Sequence, residues 1–448
     1  MQYGRGHTIY FLGIGGIGMS ALARYFKHKG ANVEGYDRTS SMLTKKLEEE
    51  GIKIHYTDQP EYIPGKTDLV VYTPAIPETM EEFVFLKKSG IPMLKRAAVL
   101  GALTSNIPTI AIGGTHGKTT ITSITAHLMH QANGKVTAFI GGLANNFNSN
   151  LVLALQTDWM VVEADEYDKS FLHLKPRISV LSSMDPDHLD IYGSESEMKR
   201  TFGQFVNNTQ AEGKIIAHYG LQTGANGTVI TYGIKPNADL FAQNIDIRNG
   251  RYHFEIVSKR HGSAFTSLSM PGRHNIENAL AAAAAVLETG VNLNQIATHL
   301  QTYKGVWRRF DIRINRDDLV YIDDYAHHPT EIQSCIDAAR EFYPGKKITG
   351  IFQPHLYSRT RDLLEEFAES LSQLDEIILL DIYPARELPI SGISSQLLLD
   401  KINHPNKSLI SMTEVTEFLS HRKPEVLVTM GAGDIDQLVE PIHKLFEQ

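Results

Sequence analysis

The residues best suited to chemistry fall in one run, Gly113-Gly114-Thr115-His116-Gly117-Lys118-Thr119-Thr120. Glycines there let successive backbone N–H groups face phosphate oxygens. A lysine supplies a point charge toward the β/γ end of a triphosphate, and the threonine after it offers a hydroxyl to Mg2+. The run is one residue shorter than the usual G-x-x-x-x-G-K-[ST] loop, because Ile112 stands where the first glycine belongs. The apolar stretch "TIAI" before it and a helical pattern after Lys118 restore the strand–loop–helix setting, so Gly114, Thr115, His116, Gly117, Lys118, Thr119 and Thr120 form a candidate ATP loop.

Two acidic clusters suit the metal side of such a site. "WMVVE" is an apolar strand ending in the carboxylate of Glu163, and "SSMDPDHLDIYG" places Asp187, His188 and Asp190 just past another strand. Mg2+ takes hard oxygen ligands and keeps several waters, so Thr119 with one carboxylate suffices. The bland alternative for both clusters is turn chemistry and helix capping. A second glycine loop, "GIGGIG", has Gly13, Gly15 and Gly18 in G-x-G-x-x-G spacing after a strand, and Asp37 ends the next strand 19 residues beyond Gly18. That geometry seats a diphosphate over a helix N-terminus, whether in a nicotinamide dinucleotide or in a UDP-sugar. Close packing of strand on helix alone is the structural alternative.

These loops need parallel sheets to hold them. Strands "TIYFLGIG", "ANVEGYD" and "DLVVYTPAI" alternate with the helix "GMSALARYFKHKG", a βαβ pattern. A second alternating segment runs through "TIAIGG", "WMVVEAD" and "RISVLSSMD" to a helix over "SEMKRTFGQFVNN", a β-rich stretch and the alanine-rich helix "NIENALAAAAAVLETG". A third alternates "DLVYIDDYA", "KKITGIFQPH", "DEIILLDIYP" and "PEVLVTMGAG" with helices. The 448 residues thus read as three α/β domains, over 1–106, 107–303 and 304–448. A net charge of −8 with no basic tract argues against a nucleic-acid surface. The longest apolar run, Ala279 to Leu287, falls short of the roughly 18 residues a membrane span needs. With no secretory leader discernible, a cytoplasmic protein is expected. The lone Cys335 lies on an amphipathic helical pattern and reads as packing, not as a nucleophile.

The motifs "GIGGIGMSALA", "GGTHGKTT", "VVEADEYDKSFLHL", "MDPDHLDIYG", "PGRHNIENALAA", "GVWRRFD", "DDYAHHPTE", "FQPHLYSRTRDL" and "TMGAGDI" occur in one order, and with them the chain resembles the Mur ligases of peptidoglycan synthesis over nearly its whole length. The resemblance implies a Rossmann-like UDP-binding domain, a central P-loop ATPase-like domain and a C-terminal Rossmann-like domain. It makes the first glycine loop (Gly13, Gly15, Gly16, Gly18, with Asp37 and Arg96) the seat of a UDP-sugar. Lys118 then serves the phosphates, Thr119 and Glu163 one Mg2+, and His188 lies near a second. Asn275 and Asn278 recognise adenine. Arg309 and Asp324 complete the site on domain closure, and His327, His355 and Arg359 position the amino acid and the muramyl carboxylate. The implied substrates are ATP, UDP-N-acetylmuramate and L-alanine, handled by a monomer or homodimer; the nearest alternative is attachment of a preformed tripeptide to the same sugar. Two departures stand out. Phe202 occupies the spacing at which several family members carry a carbamoylated lysine, with Lys199 nearby, and Leu356 stands where the alanine-adding members often have arginine.

Overall fold

The structure, a computed structural model, describes residues 3–186, 189–385 and 387–447, with backbone alone at residues 189 and 190. Three sheets carry the chain. The first is parallel, in the order Lys53–His55, Asn32–Tyr36, Thr8–Leu12, Leu69–Tyr72, Met93–Lys95. Its central strand is buried from Ile9 to Leu12, as a parallel strand covered on both faces must be. The helix Ile17–His28 follows from the glycine loop, and Gly30 turns the chain beyond it with φ +84°.

The second sheet has ten strands. Its centre orders Lys214–His218, Ile178–Leu181, Thr109–Gly113, Trp159–Glu163, Val136–Ala144 and Ser149–Val152, and Val229–Gly233, Leu240–Arg248, Arg251–Ser258 and Gly262–Leu268 extend the Lys214 side. The third orders Asp311–Asn315, Val320–Asp324, Val426–Met430, Ile348–Phe352, Glu376–Leu379 and Lys407–Leu409, antiparallel only at the first pair. The α/β reading is therefore correct, and the sequence reading passed over short strands such as Lys53–His55 and Met93–Lys95, whose three residues carry no periodic signal.

Contacts divide the chain into two compact units. The larger comprises Met1–Asn244, Phe254–Thr266 and Glu277–Lys304, and the smaller Ile245–His253, Ser267–Ile276 and Gly305–Gln448. The first two sheets share the larger unit because the helix Ile17–His28 packs against the edge of the second sheet. Tyr25 stacks obliquely on Phe139 at 5.5 Å, and the buried Arg24 donates to Asn150 Oδ1 at 2.7 Å while pairing with Glu50 at 2.8 Å. The run Ala279–Val286 is almost wholly buried within the helix Arg273–Leu287, and no helix among the described residues is long and apolar enough to cross a membrane. Cys335 is buried on the helix Pro329–Phe342, as packing requires. Phe202 is also core: it is fully buried edge-on to Phe171, whereas Lys199 is exposed and paired with Glu195.

One buried cluster under the first sheet makes stability depend on pH. His55 Nδ1 lies 2.9 Å from the Thr57 carbonyl, which only accepts, so Nδ1 bears a hydrogen and Nε2 of the neutral ring accepts. The Tyr10 hydroxyl is 2.6 Å from that Nε2 and 2.5 Å from Glu82 Oε2, with one proton for two acceptors. The trio therefore holds an extra proton. Burial lowers the His55 pKa and pushes the Glu82 carboxyl up to about 7, so the proton sits on Glu82. Its stabilising contribution is complete below the ordinary glutamate value and is lost as pH rises through about 7, by up to about 3 kcal/mol. Glu82→Gln, whose amide replaces the acid O–H, should remove that slope in urea unfolding between pH 4.5 and 7.5. An unchanged slope in the variant would place the proton elsewhere.

Candidate active site

The candidate phosphate loop joins the strand Thr109–Gly113 to the helix Lys118–Asn133. Gly114 takes φ +132° and packs so closely that a Cβ there would lie 2.1 Å from Ser182 Oγ. Gly117, at φ +80°, stands at the N-cap with no side chain capping the helix, so the first-turn N–H groups remain available to an anion. Neighbouring strands supply the clamp. Leu181 is in register with Gly113, which carries Ser182 and Ser183 to the loop. Ser183 Oγ accepts from His116 N and bonds Thr115 Oγ1, both at 2.8 Å, and Ser182 Oγ donates to the His116 carbonyl. The sequence reading missed both serines; their position directly after a strand was the available signal.

Lys118 is the centre of the charge. Its Nζ donates to the Gly114 and Thr115 carbonyls at 2.7 and 3.2 Å and to Glu166 Oε1 at 2.8 Å. Burial works to lower its pKa, but Glu166, Glu163 and Asp165 overcome that and hold it above the ordinary lysine value. Glu163 is in register with Ile112, beside the loop's start, and accepts from Gly141 N at 3.0 Å. Thr119 lies in the first turn of the helix. A threonine hydroxyl and one strand-end carboxylate fit Mg2+, which needs few protein ligands, and the described residues hold no larger ligand cluster. Asp187 and His188 lie outside the described residues, as does the Asp190 side chain, so the second metal position rests on sequence.

Asn278 reaches the same loop: a Cβ on Gly117 would be 2.5 Å from its Oδ1. Asn275 is buried, its Nδ2 donating to the Pro271 carbonyl at 2.6 Å. The first glycine loop is equally tight. Gly15 N donates to Asp37 Oδ2 at 2.7 Å, and a Cβ on Gly18 would be 2.6 Å from Arg96 Nη1. Gly16 caps the following helix without a side chain, and Gly13 has φ +83°. Arg96 in turn donates to Asp165 Oδ2 at 2.7 Å, so the two loops of this unit lie at either end of the Asp165-Glu166 segment.

In the smaller unit, doubled residues take different work. Arg308, at 5% exposure, bonds Asp323 Oδ2 at 2.9 Å and the Gly431 carbonyl at 2.7 Å. Both guanidinium groups lie over the Tyr325 ring, Arg308 at 5.4 Å and Arg309 at 5.0 Å from its centre, and only Arg308 also reaches Asp323 and Gly431 among the bonds described. Asp324 accepts from Phe310 N and Ala326 N at 2.6 and 2.7 Å, and burial pushes its carboxyl up to about 6 against the pull of Arg309. His328 caps the helix Pro329–Phe342, and His327 places Nδ1 3.0 Å from the Tyr325 carbonyl with its ring 6.1 Å from that of His355. His355 stacks on Tyr383 and receives Arg359 Nη1 at 3.3 Å. His327, His355, Arg359 and Arg309 thus gather within one unit. Leu356 adopts φ +73° and donates its N–H to the Tyr383 carbonyl at 2.9 Å.

A phosphate loop at the C-terminal end of a parallel strand, a strand-end carboxylate beside it and a second glycine loop in the same unit define a nucleotide-dependent α/β enzyme. Three family models cover the chain: the Mur ligase family catalytic domain at residues 8–107, the Mur ligase middle domain at 112–286 and the Mur ligase glutamate ligase domain at 308–433. The chain belongs to the Mur ligase family. Among its relatives, the UDP-N-acetylmuramate–L-alanine ligase of Christiangramia forsetii is 49% identical, covering 97% of this chain and 96% of its own. That of Flavobacterium psychrophilum is 47% identical, covering 99% and 98%. Among solved structures, the UDP-N-acetylmuramate-alanine ligase of Thermotoga maritima superposes with TM-score 0.84 at 26% identity, covering 98% of this chain and 99% of that one. A murein peptide ligase from Psychrobacter arcticus shares the fold, with TM-score 0.73 at 23% identity and 98% coverage of each chain.

Proposed function

We propose that this chain joins L-alanine to the lactyl carboxylate of UDP-N-acetylmuramate with ATP, a step in making peptidoglycan precursors. The observation that carries the reading is the near-full-length identity to enzymes bearing that activity in their names, over a chain with both glycine loops intact. On this reading residues 1–106 seat the UDP-sugar, 107–303 the ATP and 304–448 the amino acid, in a cytoplasmic monomer or homodimer.

A carboxylate is a poor electrophile, because the incoming amine would have to expel oxide. Transfer of the γ-phosphoryl group to the lactyl carboxylate gives an acyl phosphate with a good leaving group, which the neutral amine of alanine attacks, releasing phosphate. Phosphoryl transfer demands positioning and charge neutralisation more than covalent help. Lys118 and Arg309 supply positive charge, while Thr119 and Glu163 are suited to hold Mg2+, with His188 beside a second ion. Bound Mg2+ would neutralise phosphate charge and align the oxygens. Asn275 and Asn278 serve adenine; Gly13, Gly15, Gly16, Gly18, Asp37 and Arg96 serve the UDP-sugar; His355 and Arg359 serve the carboxylates. The alanine ammonium must lose a proton before attack. The Tyr325 carbonyl holds the hydrogen of His327 on Nδ1, leaving Nε2 as the basic nitrogen of the neutral ring, which suits His327 to that task.

The test is phosphate release from ATP. Release should require UDP-N-acetylmuramate and L-alanine together, and NAD should have no effect. Comparable turnover with the preformed tripeptide in place of alanine would overturn the reading in favour of the recycling reaction.

A further inference from the structure

We propose that Glu166 is a positioning residue of the phosphate loop that competes with nucleotide phosphate for the Lys118 ammonium, so that its charge limits how tightly the loop holds nucleotide. The inference rests on the reading of Gly113–Thr120 as the ATP loop. A lysine ammonium has three N–H donors, and here all three are engaged: two by the loop's own Gly114 and Thr115 carbonyls and the third by Glu166 Oε1. A nucleotide phosphate that engages this ammonium must therefore share or displace an internal anion.

Three carboxylates crowd the segment, and their partners differ. Asp165 is paired with Arg96 at 2.7 Å, and Glu163 accepts from Gly141 N at 3.0 Å, whereas the partner of Glu166 is the loop lysine itself. The Glu166 side chain is 4% exposed, and its Oε2 has no hydrogen-bond partner among the described residues. A buried ion pair kept only for stability should satisfy both oxygens, because an unpaired buried lone pair carries a desolvation cost. The position is nonetheless fixed. Tyr192 Oη donates to the Glu166 carbonyl at 2.6 Å, and Lys169 N donates to the same oxygen at 3.0 Å. Fixed geometry, one oxygen on the catalytic lysine and the other unpartnered describe an anion that holds Lys118 in place and opposes phosphate beside it.

The experiment is titration calorimetry of ADP with Mg2+ at pH 8 on the whole chain. Glu166→Gln and the near-isosteric, uncharged Glu166→Met should each bind ADP about tenfold more tightly than the parent. Glu166→Asp, which keeps the charge, should retain most of the parent's weaker binding. In ligation assays Glu166→Gln should lower both KM for ATP and kcat, since product ADP leaves more slowly and Lys118 loses its charged anchor; loss of a purely structural pair would not tighten binding. Equal or weaker ADP binding by both neutral variants overturns the role of Glu166 and leaves the loop assignment standing. Failure of the parent to bind ADP at all overturns both.

Discussion

Lys118→Ala should lower ligation by about 10³-fold, because its ammonium bonds the loop's own carbonyls and preorganised charge is the main protein contribution to phosphoryl transfer. The protein should still fold. The pair partner left behind, Glu166, already has its carboxyl pushed up to about 7 by burial with Lys118 pulling it down, so without the lysine it takes up a proton and does not stand as a buried charge. Phosphate release and circular dichroism on the same preparation separate the two effects. Ligation within tenfold of the parent would move the ATP site away from this loop.

The second large effect separates two adjacent arginines. Arg309→Ala should reduce kcat by about 10³-fold or more, the scale seen when an arginine that stabilises a transferring phosphoryl group is removed, with little change in stability. Arg308→Ala should instead destabilise the smaller unit by about 3–5 kcal/mol, because it strands the fully buried Asp323 carboxylate and frees the Gly431 carbonyl. Burial pushes the Asp323 carboxyl up and Arg308 pulls it back, which is the electrostatic side of the same dependence. Replacing both partners, Arg308→Met with Asp323→Leu, should recover most of the loss in urea unfolding, since no unpaired charge remains. If Arg308→Ala lost activity at full stability, or Arg309→Ala unfolded the unit, the assignment of roles would be reversed.

Much of this architecture was legible without coordinates. Buried parallel strands such as "TIAIG" and "VLVTM" are predominantly apolar and carry no charge, and glycines mark where backbone must turn or approach a ligand, so the strand–loop–helix units could be placed from residue type and spacing. Registers and third-strand partners could not. Ser182 and Ser183 clamp the phosphate loop only because Leu181 pairs with Gly113 across strands some 70 residues apart. The union of the first two sheets in one compact unit depends on Arg24 meeting Asn150, a pairing between residues that neither local pattern announces.

The sequence by itself determined the chemistry on offer: which side chains carry charge, where backbone is free to bend toward phosphate, and the order of motifs that places the chain among the Mur ligases. The tertiary structure decided which member of each doublet does what. Arg308 and Arg309, Asp323 and Asp324, His327 and His328 are identical neighbours, and local pattern treats each pair alike. In the fold one member of each pair is drawn inward or onto a cap: Arg308 onto Asp323, His328 onto a helix start. The reason is geometric. Successive residues of a strand or tight turn point to different sides, so packing against distant strands buries one side chain and directs the other elsewhere, and that packing is absent from any local stretch of sequence.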